Sequence, residues 1–349
     1  MIRAVATSQA TTGVTELDCT RGAGRLAGPC CGDALGTWRS EPSHGSSATR
    51  EAEVPARPDG GLRWHRTTVD GRTVAYGDAG DGPAVVFLHG WGLTARSYAQ
   101  TFPLIAASGS RVIAPALPGF GRSDPLEGEY TFPRLANWVL ELLDILDLRD
   151  PVTLVGHSFG GGVATATAWE RPDRVRALVL VNSVGGSVWK ESRKGLRSLA
   201  DRPLWDWGLH LPGEFRRRGY RRVLPVVVRD LVGNALANPG AMRRAGDLAR
   251  TADLRVELTT LAENGLPVSI LWGAEDQVVP EATFLAMCDA AGAPGDIIPE
   301  AGHSWLIADP EGFGELVTNS LTVQQTLAER TADPDRLREE QDDPIGRSA

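Results

Sequence analysis

The sequence predicts an α/β protein with an eight-stranded, mostly parallel sheet flanked by helices. Short apolar runs, typical of strands buried on both faces, alternate with helix-like segments through the later part of the chain. Several runs pass directly into glycine-rich turns, which indicates strands that end where a covering helix begins. Two runs near the start have no helix between them, which predicts an antiparallel beginning. The predicted strands cover residues 62–69, 73–76, 84–88, 111–116, 152–155, 175–181, 268–272 and 296–298.

The helix patterns are clearest in two segments. Residues 132–148 carry apolar side chains at helical spacing, which predicts an amphipathic helix with one face toward the sheet. Residues 160–170 are small and follow a tight turn, which predicts a helix that begins at the end of a strand. The apolar stripe of the first helix consists of Leu135, Trp138, Val139, Leu142, Ile145 and Leu146.

The turn Gly156-His157-Ser158-Phe159-Gly160 is the most informative stretch of the chain. Flanking glycines allow a turn so tight that larger side chains would collide, and its strained backbone lifts the Ser158 hydroxyl clear of the sheet end. The same five-residue pattern also occurs by chance, where the glycines merely end a strand. The rest of the sequence must therefore decide between the two interpretations.

Three other segments supply that context at the carboxyl ends of predicted strands. The strand at 84–88 runs into the loop His89-Gly90-Trp91-Gly92, the strand at 268–272 is followed by Asp276, and residues 296–299 lead into His303. Carboxyl ends of parallel strands lie at one edge of the sheet, where ligands of open α/β folds bind. We therefore expect Ser158, Asp276 and His303 to lie close together.

These motifs resemble those of the α/β-hydrolase family, and the similarity covers roughly residues 62–321. The resemblance implies that Ser158 is the nucleophile, Asp276 the acid and His303 the base. It also implies that the backbone N–H groups of Trp91 and Phe159 form the oxyanion hole. These roles make up the predicted site.

Two further runs add to the resemblance. Residues 118–124, Pro-Gly-Phe-Gly-Arg-Ser-Asp, match a family signature that we interpret as a structural turn. The runs at 89–93 and 117–123 look locally most like the carrier-protein methyl esterases of biotin synthesis. Because both runs are shared widely among relatives, they do not identify a substrate.

The chemistry requires these residue types independently of any family. A serine hydroxyl is a poor nucleophile at neutral pH, so a neutral imidazole must accept its proton during attack. A buried carboxylate must then hold the imidazole in the right tautomer and stabilise the imidazolium. Ser158, His303 and Asp276 provide these three groups.

Each assignment has an alternative. His157 adjoins Ser158, but neighbouring side chains on a sharp turn point apart, so it is expected to pack or line the pocket. His89 is expected to bond to nearby backbone. Glu275 could be the acid instead of Asp276, although the spacing to Val278 and Pro280 favours Asp276.

The chain length predicts one catalytic domain with an insertion and two tails. Residues 59–183 and 258–325 are the predicted core, and residues 184–257 are the predicted helical cap. Residues 1–58 lack apolar periodicity, so we expect a disordered leader or a start site that has been wrongly assigned. Residues 326–349 form a charged tail.

The predicted cap is basic although the chain as a whole carries a net charge of -8. Residues 190–255 contain 15 Lys and Arg against 7 Asp and Glu, and the densest cluster is Arg216, Arg217, Arg218, Arg221 and Arg222. This cluster is either a solvated surface or a landing site for an acidic acyl carrier protein or an anionic thioester. An acidic chain with these motifs is not expected to bind nucleic acid.

The sequence predicts neither a metal nor a cofactor. The 4 cysteines have no metal-ligand spacing, and Cys288 is expected to be a small buried hydrophobe. No apolar run is long enough to span a membrane. We therefore expect a cytoplasmic, cofactor-free protein.

Together these observations predict a serine hydrolase that cleaves a small-molecule carboxylic ester, or a related acyl compound, through an acyl-enzyme. A carbon–carbon bond hydrolase or a cofactor-free perhydrolase could use the same three residues, and a non-catalytic small-molecule receptor could retain them. Four apolar side chains of the predicted cap either bind the acyl chain or pack the cap onto the core. They are Trp189, Trp205, Trp207 and Leu209.

Overall fold

A computed structural model describes residues 61–186 and 220–332 of the chain. Within these residues, eight strands form one sheet in the order β1-β2-β4-β3-β5-β6-β7-β8. Strand β2 is antiparallel to β1 and β4, and the remaining neighbours are parallel. The strands are β1 (Arg63–Val69), β2 (Arg72–Ala79), β3 (Ala84–Leu88), β4 (Arg111–Pro115), β5 (Val152–His157), β6 (Val175–Val181), β7 (Val268–Gly273) and β8 (Asp296–Ile298). The predicted mostly parallel sheet with an antiparallel start is confirmed.

Strand β2 continues beyond its predicted end at Tyr76 and ends at Ala79. Glycine and aspartate are depleted in strands, so local propensity does not extend the predicted strand over Gly77 and Asp78. In the structure these two residues pair with β1 on one side and β4 on the other. Pairing on both sides outweighs the low strand propensity of the two residues.

Helices cover both faces of the sheet, and the sheet separates the hydrophobic core into two clusters. Successive residues of a strand point to opposite faces. Val86 and Leu88 of β3 accordingly belong to one hydrophobic cluster and Phe87 to the other. The helices are α1 (Phe102–Ala107), α2 (Phe132–Ile145), α3 (Phe159–Glu170), α4 (Tyr220–Ala237), α5 (Pro239–Arg250), α6 (Arg255–Glu263), α7 (Glu281–Ala291), α8 (Trp305–Ala308) and α9 (Pro310–Ala332).

Helix α2 ends at Ile145, three residues before its predicted end. Asp147 adopts a left-handed backbone with φ of 54°, which stops the helix although the apolar pattern continues to Leu148. At the other end the Thr131 hydroxyl accepts a hydrogen bond from the Arg134 amide at 3.4 Å. Leu135, Trp138, Val139 and Leu142 of the predicted stripe are buried, whereas Ile145 at the helix end is exposed and Leu146 follows the helix, so the stripe is shorter than predicted.

Helices α4, α5 and α6 lie in sequence between β6 and β7, where the sequence predicts a cap. Part of that predicted cap, residues 187–219, lies outside the described residues, so its role as a cap stays a prediction. Among the described helices, none combines the length and apolar character needed to cross a bilayer. The predicted leader and most of the charged tail also lie outside the described residues.

Candidate active site

Ser158 occupies the turn between β5 and α3, with backbone angles φ 52° and ψ -118°. A Cβ atom on Gly156 would lie 2.5 Å from the Gly161 Cα, and one on Gly160 would lie 2.1 Å from the Leu88 carbonyl oxygen. Both distances are far inside van der Waals contact, so the backbone around Ser158 requires glycine at these positions. The Ser158 amide donates to the Val181 carbonyl at 3.0 Å, which ties the turn to β6.

Three of the predicted site residues form one hydrogen-bonded chain. The Ser158 hydroxyl lies 3.1 Å from His303 Nε2, and His303 Nδ1 lies 2.8 Å from Asp276 Oδ2. A carboxylate only accepts hydrogen bonds, so Nδ1 carries the ring hydrogen and Nε2 is left to accept from the serine. The serine hydroxyl, the imidazole and the carboxylate therefore form one continuous chain of hydrogen bonds.

Asp276 is fixed by several donors in addition to His303. Its Oδ1 accepts from the amides of Val278 and Val279 at 2.7 and 2.9 Å, in the turn after β7. Its Oδ2 accepts from the side-chain amide of Asn182 at 2.5 Å. The Asp276 side chain has no exposed surface, so this carboxylate is held by hydrogen bonds in place of water.

Asn182 is a site residue that the sequence analysis missed. It follows β6, at the same sheet edge as Ser158 and Asp276, and its side-chain oxygen accepts from the Trp305 indole at 2.9 Å. This bond fixes which end of the amide faces Asp276. A search for polar residues at every strand's carboxyl end would have identified Asn182.

The alternative acid, Glu275, is half-buried beside Asp276. Its backbone amide donates to the Ala301 carbonyl at 2.9 Å, while the short contact to His303 Nδ1 comes from Asp276. The distances therefore favour Asp276, as the sequence spacing does.

His157 is fully buried and holds the loop that carries His303. Its Nε2 lies 3.0 Å from the His303 carbonyl oxygen, and its Nδ1 lies 2.8 Å from the Tyr98 hydroxyl. Because a carbonyl can only accept, Nε2 carries the hydrogen and Tyr98 donates to Nδ1. Burial, together with the neighbouring His303, holds the pKa of His157 well below its usual range, so the ring is neutral. These contacts match a packing role better than that of a base.

His89 makes the backbone contacts that the sequence analysis expects. Its Nδ1 lies 2.9 Å from the Gly90 carbonyl, and its Nε2 accepts from the Leu117 amide at 2.9 Å. Burial lowers the pKa of His89 to about 4. The neutral ring therefore joins the loop after β3 to the loop after β4.

The two predicted oxyanion donors flank Ser158 in different ways. Phe159 begins α3, and the first N–H groups of a helix have no partner within the helix and lie at its positive dipole end. Trp91 lies in the loop after β3, and its indole donates to the Met242 carbonyl at 2.7 Å. A Cβ atom on Gly90 would lie 3.3 Å from the Ser158 Cβ, so this loop runs directly beside the serine.

Several predicted features lie outside the described residues. Arg216, Arg217 and Arg218 are among them, and for Arg221 and Arg222 only the backbone of α4 is described. The four apolar cap side chains Trp189, Trp205, Trp207 and Leu209 also lie outside the described residues.

The fold and site together define a class of enzyme, and comparisons with known proteins agree. The chain belongs to the Alpha/beta hydrolase family, which it matches over residues 85–316, and it is a hydrolase. A solved hydrolase from Pseudomonas aeruginosa superimposes with a TM-score of 0.58 at 25% identity, covering 75% of this chain and 98% of that one. The predicted resemblance is therefore confirmed.

Proteins that are about equally similar in sequence to this chain are named for different activities. The chain is 31% identical to the pimeloyl-[acyl-carrier protein] methyl ester esterase of Aeromonas hydrophila, over 68% of this chain and 95% of that protein. It is 30% identical to the 2-hydroxymuconate semialdehyde hydrolase of a Pseudomonas species, over 72% of this chain and 91% of that protein. The family is thus shown, while the substrate must be argued from the site.

Proposed function

We propose that the protein hydrolyses a carboxylic ester, or a related acyl compound, through an acyl-enzyme on Ser158. The observation that carries the proposal is the continuous chain from the Ser158 hydroxyl through His303 to the fully buried Asp276 carboxylate. A serine joined to a neutral imidazole, which is oriented in turn by a carboxylate, is the arrangement that nucleophilic acyl transfer requires.

In the first step the Ser158 oxygen attacks the substrate carbonyl carbon. His303 Nε2 accepts the hydroxyl proton as the new C–O bond forms, and the resulting imidazolium is stabilised by Asp276. The donors on Asp276 from Val278, Val279 and Asn182 hold the carboxylate in position for this task. His303 then donates the proton to the departing alkoxide, which leaves as the alcohol.

The tetrahedral intermediate places a negative charge on the former carbonyl oxygen. We assign its stabilisation to the backbone N–H groups of Trp91 and Phe159, which lie in the loop beside Ser158 and at the start of α3. Donors fixed before the reaction cost no reorganisation, and losing one costs roughly 3 to 4 kcal/mol in comparable enzymes.

In the second step a water molecule attacks the acyl-enzyme, and His303 accepts its proton. The intermediate then collapses, the acid is released, and the proton returns to the Ser158 oxygen. In both steps of this proposed mechanism His303 accepts and returns the proton, and water is the second reactant.

A carbon–carbon bond hydrolase is the second candidate, because the relative that cleaves 2-hydroxymuconate semialdehyde is as similar as the esterase relative. Both chemistries use the same three residues. A substrate panel separates them: an ester hydrolase is expected to turn over short aryl esters efficiently, whereas the second candidate is expected to prefer 2-hydroxymuconate semialdehyde, the compound for which that relative is named.

Turnover of short p-nitrophenyl esters tests the proposal. Ser158→Ala is expected to lower kcat for ester hydrolysis by several orders of magnitude, on the order of a million-fold where such residues act as a unit. Ser183→Ala is the matched control, since Ser183 is buried beside the turn and donates to the Val184 carbonyl. Equal activity of Ser158→Ala and the parent protein would contradict the proposal, as would no ester hydrolysis by the folded parent.

We also propose that the enzyme is cytoplasmic. The partner that we propose for its basic cluster at residues 216–222 is an acidic carrier protein. The support is the cluster's charge, which is opposite to that of the chain as a whole. If the cluster guides an anionic acyl donor, kcat/KM for that donor falls with rising salt more steeply than for a neutral ester. Equal salt responses would leave the cluster as a solvated surface.

A further inference from the structure

A cavity of about 880 Å³ lies between β1, the loops after β3 and β4, and helix α4. Its lining does not include Ser158, Asp276 or His303, so it is separate from the candidate active site. The volume is in the range of pockets that hold small molecules. Four of the lining residues are arginines, namely Arg66, Arg96, Arg122 and Arg229.

One buried carboxylate, Asp230, lines this cavity, and both of its oxygens accept hydrogen bonds from neighbouring side chains. Its Oδ2 accepts from the hydroxyls of Thr94 and Ser97 at 2.7 and 2.5 Å. Its Oδ1 accepts from Arg229 Nε at 2.9 Å. Asp230 therefore forms an ion pair with Arg229, and its charge also acts on Arg96 without forming an ion pair with it.

In the described part of the chain, Arg66, Arg96 and Arg122 form no ion pair with any carboxylate. The Arg96 guanidinium lies 4.0 Å from the ring centre of Trp64, so a cation–π contact holds it in position. Partial burial lowers the pKa of Arg96, and the positive charges of Arg122 and Arg229 lower it further, while the Asp230 carboxylate acts in the opposite direction. The guanidinium groups are thus close enough to repel one another.

The wall formed by α4 is fixed to the rest of the cavity. Asn234 accepts from the Gly121 amide at 2.8 Å and donates to the Gly92 carbonyl at 3.0 Å. Asp230, one turn earlier on the same face of α4, bonds to Thr94. The arginines therefore surround a cavity that is already formed before any ligand binds.

We propose that this cavity binds a small molecule that carries a multiply charged phosphate group. Guanidinium groups bind phosphate through paired N–H···O bonds, and several of them together match a group with more than one negative charge. A monocarboxylate would neutralise only one of the three arginines that lack an ion pair. Binding of such an anion would remove the repulsion between Arg96 and its neighbours.

Calorimetric titration with inorganic pyrophosphate tests the proposal. The Ser158→Ala protein is used, so that the result does not depend on the proposed esterase activity. We expect saturable binding at one site, and the double variant Arg96→Gln with Arg122→Gln should weaken it by roughly tenfold or more. Titration with sodium acetate at the same ionic strength should give much weaker binding.

The double variant Arg63→Gln with Arg243→Gln is the control. It removes the same charge from two exposed arginines that do not line the cavity. The control should bind pyrophosphate as the parent does. Three results would overturn the proposal. They are no saturable binding to the Ser158→Ala protein, an equal loss of binding in both double variants, and acetate binding as tight as that of pyrophosphate. A thermal unfolding curve for each variant establishes that it is folded.

Discussion

His157, the residue before the candidate nucleophile, donates a hydrogen bond from Nε2 to the backbone carbonyl of His303 at 3.0 Å. The turn after β5 is thus joined to the loop after β8 twice, once through this bond and once through the Ser158 hydroxyl and His303 Nε2. Because His157 is neutral and fully buried, its bond does not compete with water. We infer that His157 positions His303.

Tyr98→Phe tests that positioning role. The change removes the hydroxyl that donates to His157 Nδ1 at 2.8 Å and leaves this buried acceptor without its donor. We expect the free energy of unfolding to fall by about 1 to 3 kcal/mol, and kcat for a short ester to fall by roughly tenfold with KM little changed. Steady-state kinetics and urea unfolding measure the two effects.

Tyr76→Phe is the matched control for Tyr98→Phe. Tyr76 lies on β2, is only partly buried and stacks against His65. The Tyr76→Phe variant should leave kcat for the same ester unchanged. Lost stability with an unchanged kcat in Tyr98→Phe would mean that the Tyr98 hydroxyl serves the fold alone.

The buried histidines predict a loss of stability in acid. The pKa of His89 lies at about 4 in the folded protein against 6.5 for an ordinary histidine, so the unfolded chain binds more protons between these values. Stability is therefore complete above pH 6.5 and falls as the pH drops toward 4, by about 3 kcal/mol from His89. His157 acts in the same direction.

Unfolding measured between pH 7.5 and pH 4.5, roughly the span over which a histidine titrates, checks this prediction. His89→Gln should reduce the slope of the unfolding free energy against pH, whatever its effect on stability at pH 7.5. His65→Gln, at an exposed position on β1, should keep the parent slope. A parent slope retained in His89→Gln would contradict the assignment.

Gly160→Ala tests the strand-to-helix turn. The added Cβ would lie 2.1 Å from the Leu88 carbonyl oxygen, and a backbone atom cannot move aside as a flexible side chain can. We expect a loss of several kcal/mol of stability, since overpacking of a buried site costs about 1 to 3 kcal/mol or more. Thermal unfolding measures it.

Gly233→Ala is the contrasting variant. Gly233 lies within α4, and a Cβ there has open space with nothing within 4 Å. Alanine should stabilise this helix by about 0.5 to 1 kcal/mol. If Gly160→Ala and Gly233→Ala changed the thermal stability to the same extent, the proposed tight packing at Gly160 would be contradicted.

Asp276→Asn and Glu275→Gln discriminate between the two candidate acids. An amide at position 276 can donate to His303 Nδ1 and so favours the wrong tautomer, which costs roughly ten thousand-fold in kcat in comparable enzymes. Glu275→Gln should change kcat by no more than a few-fold, because the 2.8 Å contact to His303 comes from Asp276. The opposite ranking in ester hydrolysis would transfer the role to Glu275.

The sheet could be predicted well from sequence because its central strands carry unambiguous patterns. All five residues of β3 and all six of β5 are buried, and residues 84–88 and 152–156 appear in the sequence as short continuous runs of apolar or small residues. The end of β2 could not be predicted, since pairing partners on both sides, and not local propensity, keep Gly77 and Asp78 in the strand.

The residues around the candidate site differ in the same way. Ser158, Asp276 and His303 each lie in a recognisable local motif, and the structure brings them together. Asn182 and Tyr98 contribute through contacts to residues 94 and 59 positions away in the chain. Such contacts leave no local motif, so only the fold reveals them.

Labelling with a fluorophosphonate probe tests the central claim most directly. The probe reacts with an activated serine, and digestion followed by mass spectrometry identifies the modified residue. The account predicts modification of Ser158 in the parent protein and none in His303→Ala, because the serine needs its base to become nucleophilic. Modification at Ser183 or Ser304, or labelling of Ser158 that is unaffected by His303→Ala, would contradict it.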